Sequence, residues 1–308
     1  MEKILVTGAS GLLGSACCYE YSKKLQVHFT YNSNEIKIAG CTGFKADLSE
    51  PKVVQKLFEN SNPDIVLHAA ALTNLGLCEK DKVLAKKSNV LATKNIALEC
   101  KKNKSTLVHI STNYVFDGKK GNYSEKSKPR PLNYYAKTKL LAEKQVQKIF
   151  PKSFIVRTSP FGWQPLETRA NSATWFLKDL KEGKQVKAFT DQFASFILAN
   201  DLALVLNNFF DSNKFGLYNV SAKDKVNRYF LTSEIAKLLG YDNNLVIPIT
   251  MKEFEKNNAF LAKRAKDTSL DCSKFEKTFQ QNLPAVKDAL QRFKALHEQN
   301  YLQNFRLV

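Results

Sequence analysis

Short apolar runs punctuate the first half of the chain, each followed by a longer stretch of mixed polarity with helical spacing. Lys3-Ile-Leu-Val6, Val27 to Tyr31, Phe44 to Ala46, Asp64 to Ala71, Leu107 to Ile110 and Phe154 to Arg157 read as buried strands. A strand covered on both faces needs no polar alternation. The spacing predicts helices over about Leu12 to Leu25, Lys80 to Cys100 and Tyr134 to Phe150. Asn133 is a suitable N-cap for the last of these and Pro151 its stop, while Pro129 and Pro131 keep the segment before it out of helix. Strands alternating with helices predict the α/β class with a doubly wound parallel sheet. Beyond Arg157 the rhythm breaks. Thr158 to Pro165 is loop-like, Asn171 to Lys181 helical, and Asp191 to Ala199 a turn carrying apolar residues. A strand returns near Phe215 to Val220, a helix follows from Asn227 to Leu239, and the remainder reads as short helices and loops. The expected division is a first domain over 1–157, to which the strand near 215–220 returns, and a smaller interleaved domain over 158–308.

The turn after the first strand changes the picture. Thr7-Gly-Ala-Ser-Gly-Leu-Leu-Gly14 places glycines at 8, 11 and 14, directly between a strand and a helix. Gly8 permits the tight turn, Gly11 lets backbone amides approach a pyrophosphate, and Gly14 allows the helix to pack closely on the strand. The helix N-terminus then faces the phosphates. This context marks 1–157 as a Rossmann-type NAD(P)-binding domain. The second strand ends in Thr30-Tyr31-Asn32-Ser33 without an acid, which favours NADPH, with NADH as the alternative, because nothing there repels a 2′-phosphate. Asp47, at the end of the third strand, is placed to meet the adenine or to cap the next helix, or both.

Tyr135 and Lys139 are four residues apart on the helix after Asn133, so they share one face. A positive charge beside a phenol favours the phenolate and lowers its pKa, making it a usable acid or base near neutrality. Ser111 and Thr112 end a buried strand, where open α/β sheets bind ligands. Asn89, inside the helix expected over Lys80 to Cys100, can steady a bound water or the lysine.

The net charge of +18 suits anionic partners. Its lysines are dispersed and no nucleic-acid motif accompanies them, so a solvated surface that attracts a diphosphate is expected rather than nucleic-acid binding. The six cysteines form no metal spacing and read as small buried hydrophobes of a reducing compartment. His68 and His109 lie inside apolar strand runs, as core or near-cofactor residues; no metal site is expected. No apolar run reaches membrane-spanning length, and the cytoplasm is the expected location.

Thr7-Gly-x-x-Gly-x-x-Gly14, Asp47-Leu48, Ala69-Ala-Ala71, Ser111-Thr-Asn-Tyr-Val-Phe-Asp-Gly118 and Tyr135-x-x-x-Lys139 together resemble an extended short-chain dehydrogenase/reductase, and within it the dTDP-4-dehydrorhamnose reductase family. Pro131-Leu-Asn133, Arg157-Thr-Ser159, Asp191-Gln192, Gly216 to Val220 and Leu270-Asp-Cys-Ser-Lys274 extend the resemblance nearly end to end. It implies NADPH-dependent reduction of the C4 ketone of a nucleotide-linked 4-keto-6-deoxy sugar. Tyr135 would be the proton donor, Thr112 would polarise the carbonyl, and Lys139 would hold the nicotinamide ribose. Gly8, Ser10, Gly11, Leu12, Leu13, Tyr31, Asp47, Leu48, Ala70, Ala71 and Thr73 would join Tyr135 and Lys139 around the cofactor. Thr73, Thr112, Asn113 and Tyr135 would meet the sugar nucleotide, and a homodimer is the implied assembly. Asn89 matches a supporting asparagine of the family. Asn113 stands where the family often has an acid, Pro160 where it has a tryptophan, Phe196 where it has a proline, and Arg264 precedes Ala265 rather than proline. These departures touch substrate recognition and leave the Tyr, Lys and Thr intact. Two other functions fit the same residues: a UDP-linked sugar reductase or epimerase/reductase, and a regulatory subunit like methionine adenosyltransferase beta.

Overall fold

The computed structural model describes residues 1–166, 171–257 and 262–307. Seven strands form its central sheet: β1 (Lys3–Thr7), β2 (Gln26–Tyr31), β3 (Cys41–Lys45), β4 (Ile65–His68), β5 (Thr106–Ile110), β6 (Phe154–Arg157) and β7 (Gly216–Asn219). They lie side by side in the order β7-β6-β5-β4-β1-β2-β3, every pair parallel. The chain thus winds outward both ways from β1, and the crevice where the order reverses is where such sheets bind ligands. The strand expected over Phe44 to Ala46 is displaced to Cys41–Lys45, and Asp64 to Ala71 leaves the sheet after His68.

Successive side chains point to opposite faces, which explains why these strands are apolar throughout. Ile4, Val6, Ile65, Leu67, Val108, Phe154 and Val156 enter one core layer. Leu5, Val66, Leu107 and Ile155 enter the other, against Val54, Leu57, Ile96, Ala97 and Val146. The first layer is roofed by α1 (Leu12–Tyr21), the second by α2 (Pro51–Ser61), α3 (Ala92–Asn103) and α4 (Tyr134–Ile149). Asn133 caps α4 as expected, its side chain accepting from the Ala136 amide at 2.9 Å.

The helix expected from Lys80 to Cys100 is broken into Leu75–Lys80, Lys82–Lys86, a π-helical turn over Lys87–Leu91, and α3. Asp81 and Asn74 cap the two short pieces, and the cap at Asp81 interrupts what apolar spacing alone joins. From 171 to 181 only Leu177–Lys181 is helical, and the tail holds a longer element than expected, the helix Val286–Glu298.

Several later segments return to the first half of the chain. The strand of 215–220 joins it as β7, beside β6. The helix Ala199–Leu206 packs on α1, where Tyr21 donates to the Ala203 carbonyl at 2.8 Å and Asn200 to Glu20 at 2.9 Å. Phe305–Leu307 pairs antiparallel with Ile36–Ile38. The expected span 158–308 includes positions 167–170, 258–261 and 308, which lie outside the described residues.

Candidate active site

Every candidate residue sits at the carboxyl end of a strand or on the helix facing it. Gly8, Ser10, Gly11, Leu12 and Leu13 occupy the turn from β1 into α1; Tyr31 ends β2; Asp47 and Leu48 follow β3. Ala70, Ala71 and Thr73 follow β4, Thr112 and Asn113 follow β5, and α4 carries Tyr135 and Lys139. Gly8 adopts a φ of +75°, and a Cβ there would stand 2.7 Å from the Ala70 Cα. The backbones after β1 and β4 therefore touch. Thr7 fastens them further: its hydroxyl accepts from the Ala70 amide at 3.1 Å.

The residues of this turn fit a dinucleotide. Gly11 is the N-cap of α1 and gives it no side-chain cap, so the helix's first amides are left for an anion. Near the ribose end, Thr30 to Ser33 carry no acid, and Glu35 stands just beyond them. Burial, with the Glu35 carboxylate nearby, raises the pKa of the Tyr31 phenol. Asp47 does not cap α2, whose N-cap is Glu50. Instead its Oδ1 accepts from the Ser49 hydroxyl at 2.6 Å and the Ser49 amide at 3.0 Å. Those bonds, aided by Lys87, hold its carboxyl below the usual range.

Thr112, Tyr135 and Lys139 come together, all of them buried. The expected effect of the lysine on the phenol is not found. Burial pushes the Tyr135 pKa up, and the group opposing that shift is the nearby Thr112 hydroxyl. Lys139 reaches past it and donates to the Ile110 carbonyl at 2.7 Å. Burial brings the lysine down to about 8, with Glu143 acting the other way. Asn89 makes no hydrogen bond to the lysine. Its Oδ1 accepts from the Leu72 amide at 2.7 Å, and its Nδ2 donates to the Thr138 hydroxyl at 2.9 Å. It ties the loop after β4 to α4, a supporting role, from a π-helical turn of the kind often found near functional sites.

Asn113 is hydrogen-bonded within the protein. Its Nδ2 donates to the Thr268 hydroxyl at 2.7 Å, which turns Oδ1 toward Thr112 Oγ1 at 3.3 Å. The Thr112 hydroxyl donates its proton to that Oδ1. Replacing Asn113 with Ala should destabilise the protein by about 1–2 kcal/mol, since the Thr268 hydroxyl loses a buried partner. Urea denaturation reads this directly, and an unchanged midpoint would deny the strut any importance.

Three residues at the site carry roles that the sequence reading does not assign: Tyr114, Arg228 and Glu143. Tyr114 meets Tyr135 edge-on at 6.3 Å, and Arg228 donates to the Tyr114 hydroxyl at 3.4 Å. Arg264, though exposed, has its pKa lowered by partial burial of the guanidinium, with Tyr114 opposing and Arg228 adding to the shift. Two guanidiniums near one tyrosine make the mouth of the site attractive to an anion. A cleft of about 470 Å³ runs from Arg264 past Lys266 to Lys119 and Lys120. A second cleft, about 690 Å³ along Asn207 to Lys214, lies by the loop entering β7, away from this chemistry. Of the three, only Glu143 carries a readable signal, the fourfold spacing Tyr135, Lys139, Glu143.

The sequence matches the model of the RmlD substrate binding domain over residues 1–298. The chain belongs to the RmlD substrate binding domain family. Within the family, it is similar to a dTDP-4-dehydrorhamnose reductase of Bacillus anthracis, solved in complex with NADP. The two are 26% identical, with a TM-score of 0.83, covering 95% of this chain and 99% of that one. A hypothetical dTDP-4-dehydrorhamnose reductase from Sulfolobus tokodaii is 33% identical, with a TM-score of 0.79, covering 92% of this chain and 97% of that one. The methionine adenosyltransferase 2 subunit beta of Danio rerio is also similar, 28% identical over 89% of this chain and 84% of its own length. The fold is thus that of an RmlD-type reductase, as the motifs implied. Among the described residues no helix is long and apolar enough to cross a membrane.

Proposed function

We propose that this chain is an NADPH-dependent reductase of the C4 ketone of a nucleotide-linked 4-keto-6-deoxy sugar, dTDP-4-dehydrorhamnose being the leading substrate. The observation that carries this is the buried grouping of Tyr135, Thr112 and Lys139 at the carboxyl edge of the sheet. The cofactor supplies a hydride when bound. Gly8, Ser10, Gly11, Leu12 and Leu13 would hold its pyrophosphate side, with Tyr31, Asp47, Leu48, Ala70, Ala71 and Thr73 lining the rest.

The raised pKa of Tyr135 suits a reductase. A phenol that stays protonated through neutral pH is ready to give its proton to the alkoxide forming at C4. Thr112 turns its hydroxyl proton from Asn113 toward the same oxygen and stabilises its developing charge. Lys139, protonated below about pH 8, supplies positive charge under the site and would grip the ribose hydroxyls. Arg228 and Arg264 lie where a sugar nucleotide's diphosphate would enter. Positions 1–157 would serve mainly the cofactor and the second half mainly the sugar, in a cytoplasmic enzyme. A homodimer completes the proposal, and sedimentation of the purified chain at twice its mass would support it.

The test is NADPH oxidation with dTDP-4-keto-L-rhamnose, beside a UDP-linked analogue. Turnover should occur with NADPH preferred over NADH, because Thr30 to Ser33 hold no acid, and the preference should be only modest, because the Glu35 carboxylate stands near Tyr31. A strong NADH preference would refute the NADPH assignment. Similarity to methionine adenosyltransferase 2 subunit beta favours a second reading, a regulatory subunit. Bound NADPH without turnover of either sugar, together with co-purification of a partner enzyme, would put that reading first.

A further inference from the structure

Tyr135, Lys139 and Glu143 recur at every fourth position of α4, so one face of the helix carries all three. Glu143 is 2% exposed. Its Oε1 accepts from Ser111 Oγ at 2.5 Å and from Arg157 Nε at 2.9 Å, and its Oε2 from Arg157 Nη2 at 2.7 Å. Ser111 is the residue before Thr112 at the end of β5, and Arg157 is the last residue of β6. Arg157 also lies over the Phe116 ring at 5.2 Å, in the segment that follows Thr112. One carboxylate thus gathers α4, the end of β5 and the end of β6.

We propose that Glu143 is a positioning residue of the reductase site, joining the helix that bears Tyr135 and Lys139 to the strand end that bears Thr112. This deepens the reductase reading and rests on it. Stability alone is a poor reason for such a pair, because removing two charges from water costs as much as their attraction returns. Geometry is a better one. Thr112 and Tyr135 act on the same substrate oxygen from different elements, and an error of about 1 Å between them can cost about 100-fold in rate.

The same carboxylate is the countercharge of Lys139. The groups facing that lysine are the Ile110 carbonyl, Tyr135, His68 on β4 and His109 on β5. Both imidazoles are buried and resist protonation, His68 being pushed down to about 3 by burial and by Lys139 itself. His109 is shifted well down by burial, Lys139 and His68. Neither helps to hold the ammonium charged; Glu143 does, against the effect of burial. The sign follows directly. A lysine whose pKa is lowered loses its proton as pH rises through that value, so weakening Glu143 moves the loss to lower pH.

The experiment measures NADPH affinity from pH 6.5 to 10 by fluorescence, with a thermal melt on each protein. In the unaltered chain the affinity should fall with a midpoint near 8. Lys139→Met should erase that step and so identify it. Glu143→Gln with Arg157→Gln removes both charges of the pair, so that no buried guanidinium is left unpaired while Lys139 loses its countercharge. Its midpoint should be lower by about one pH unit. Ser111→Ala keeps both charges and should leave the midpoint in place while lowering kcat by up to about 100-fold. An unmoved midpoint in the double variant, or an unchanged kcat in Ser111→Ala, would overturn the proposal and leave the reductase reading standing. Failure of the unaltered chain to bind either NADPH or NADH would overturn both.

Discussion

Tyr135→Phe should lower kcat by about 10²–10⁴-fold, the usual contribution of a positioned general acid, and leave NADPH binding near its normal value. Phenylalanine fits the pocket that holds the tyrosine ring among Cys78, Ala85 and the edge of Tyr114, so the fold should survive. What disappears is the phenol hydroxyl beside Thr112. With only Thr112 left to stabilise the alkoxide, no side chain at the site supplies the proton in the right place. Because burial raises the Tyr135 pKa, the unaltered enzyme should keep its acid through the neutral range. Loss of activity toward alkaline pH should then follow Lys139, near 8, rather than the phenol. Single-turnover measurement with saturating NADPH separates chemistry from release. Normal turnover by the Phe variant would remove Tyr135 from the mechanism.

That expectation is legible in the sequence, but its electrostatics are not. Helical spacing puts Tyr135 and Lys139 on one face, and strand apolarity puts Thr112 at a sheet edge; both are local regularities that survive folding. The depth of each group is not local. Lys139 bypasses the phenol for the Ile110 carbonyl because β5 runs directly beneath α4, a relation set by strands far apart in the chain. Asn113 illustrates the same limit. Its neighbour Thr112 marks it for the substrate, while its actual partner, Thr268, lies 155 positions on. Glu35 is hidden for a related reason: it lies beyond the strand's last residues, and only the fold brings the chain back to Tyr31. Arg228 opens a helix after Asn227 and has nothing in its sequence surroundings to mark it. The broken helix over Lys80 to Cys100 is a different case. Asp81 caps the piece that starts at Lys82, and it overrides the apolar periodicity that runs through it.

Gly14→Ala should be the most damaging single-methyl change in the cofactor region. The added Cβ would stand 2.3 Å from the Gly8 carbonyl oxygen, 2.7 Å from its carbon and 2.8 Å from the Ala9 Cα. All three are backbone atoms, so no side-chain rotation relieves the clash. Either α1 lifts away from β1 or the turn opens, and the turn is itself held by the Gly11 amide donating to that same Gly8 oxygen at 3.0 Å. Overpacking of this kind costs about 1–3 kcal/mol, and sometimes more. It also moves the uncapped amides at the start of α1, whose direction is what would hold a pyrophosphate. NADPH affinity should fall about tenfold for each 1.4 kcal/mol by which the binding free energy weakens, and the melting temperature should fall with it. Gly11→Ala provides the contrast. Its Cβ would meet only the Gly8 oxygen, at 3.3 Å, so the fold should tolerate it. The methyl would nonetheless stand where the backbone must approach the phosphates, so affinity should drop while stability holds. If Gly14→Ala instead binds NADPH normally and melts with the unaltered protein, close packing of α1 on β1 is not what shapes the cofactor site.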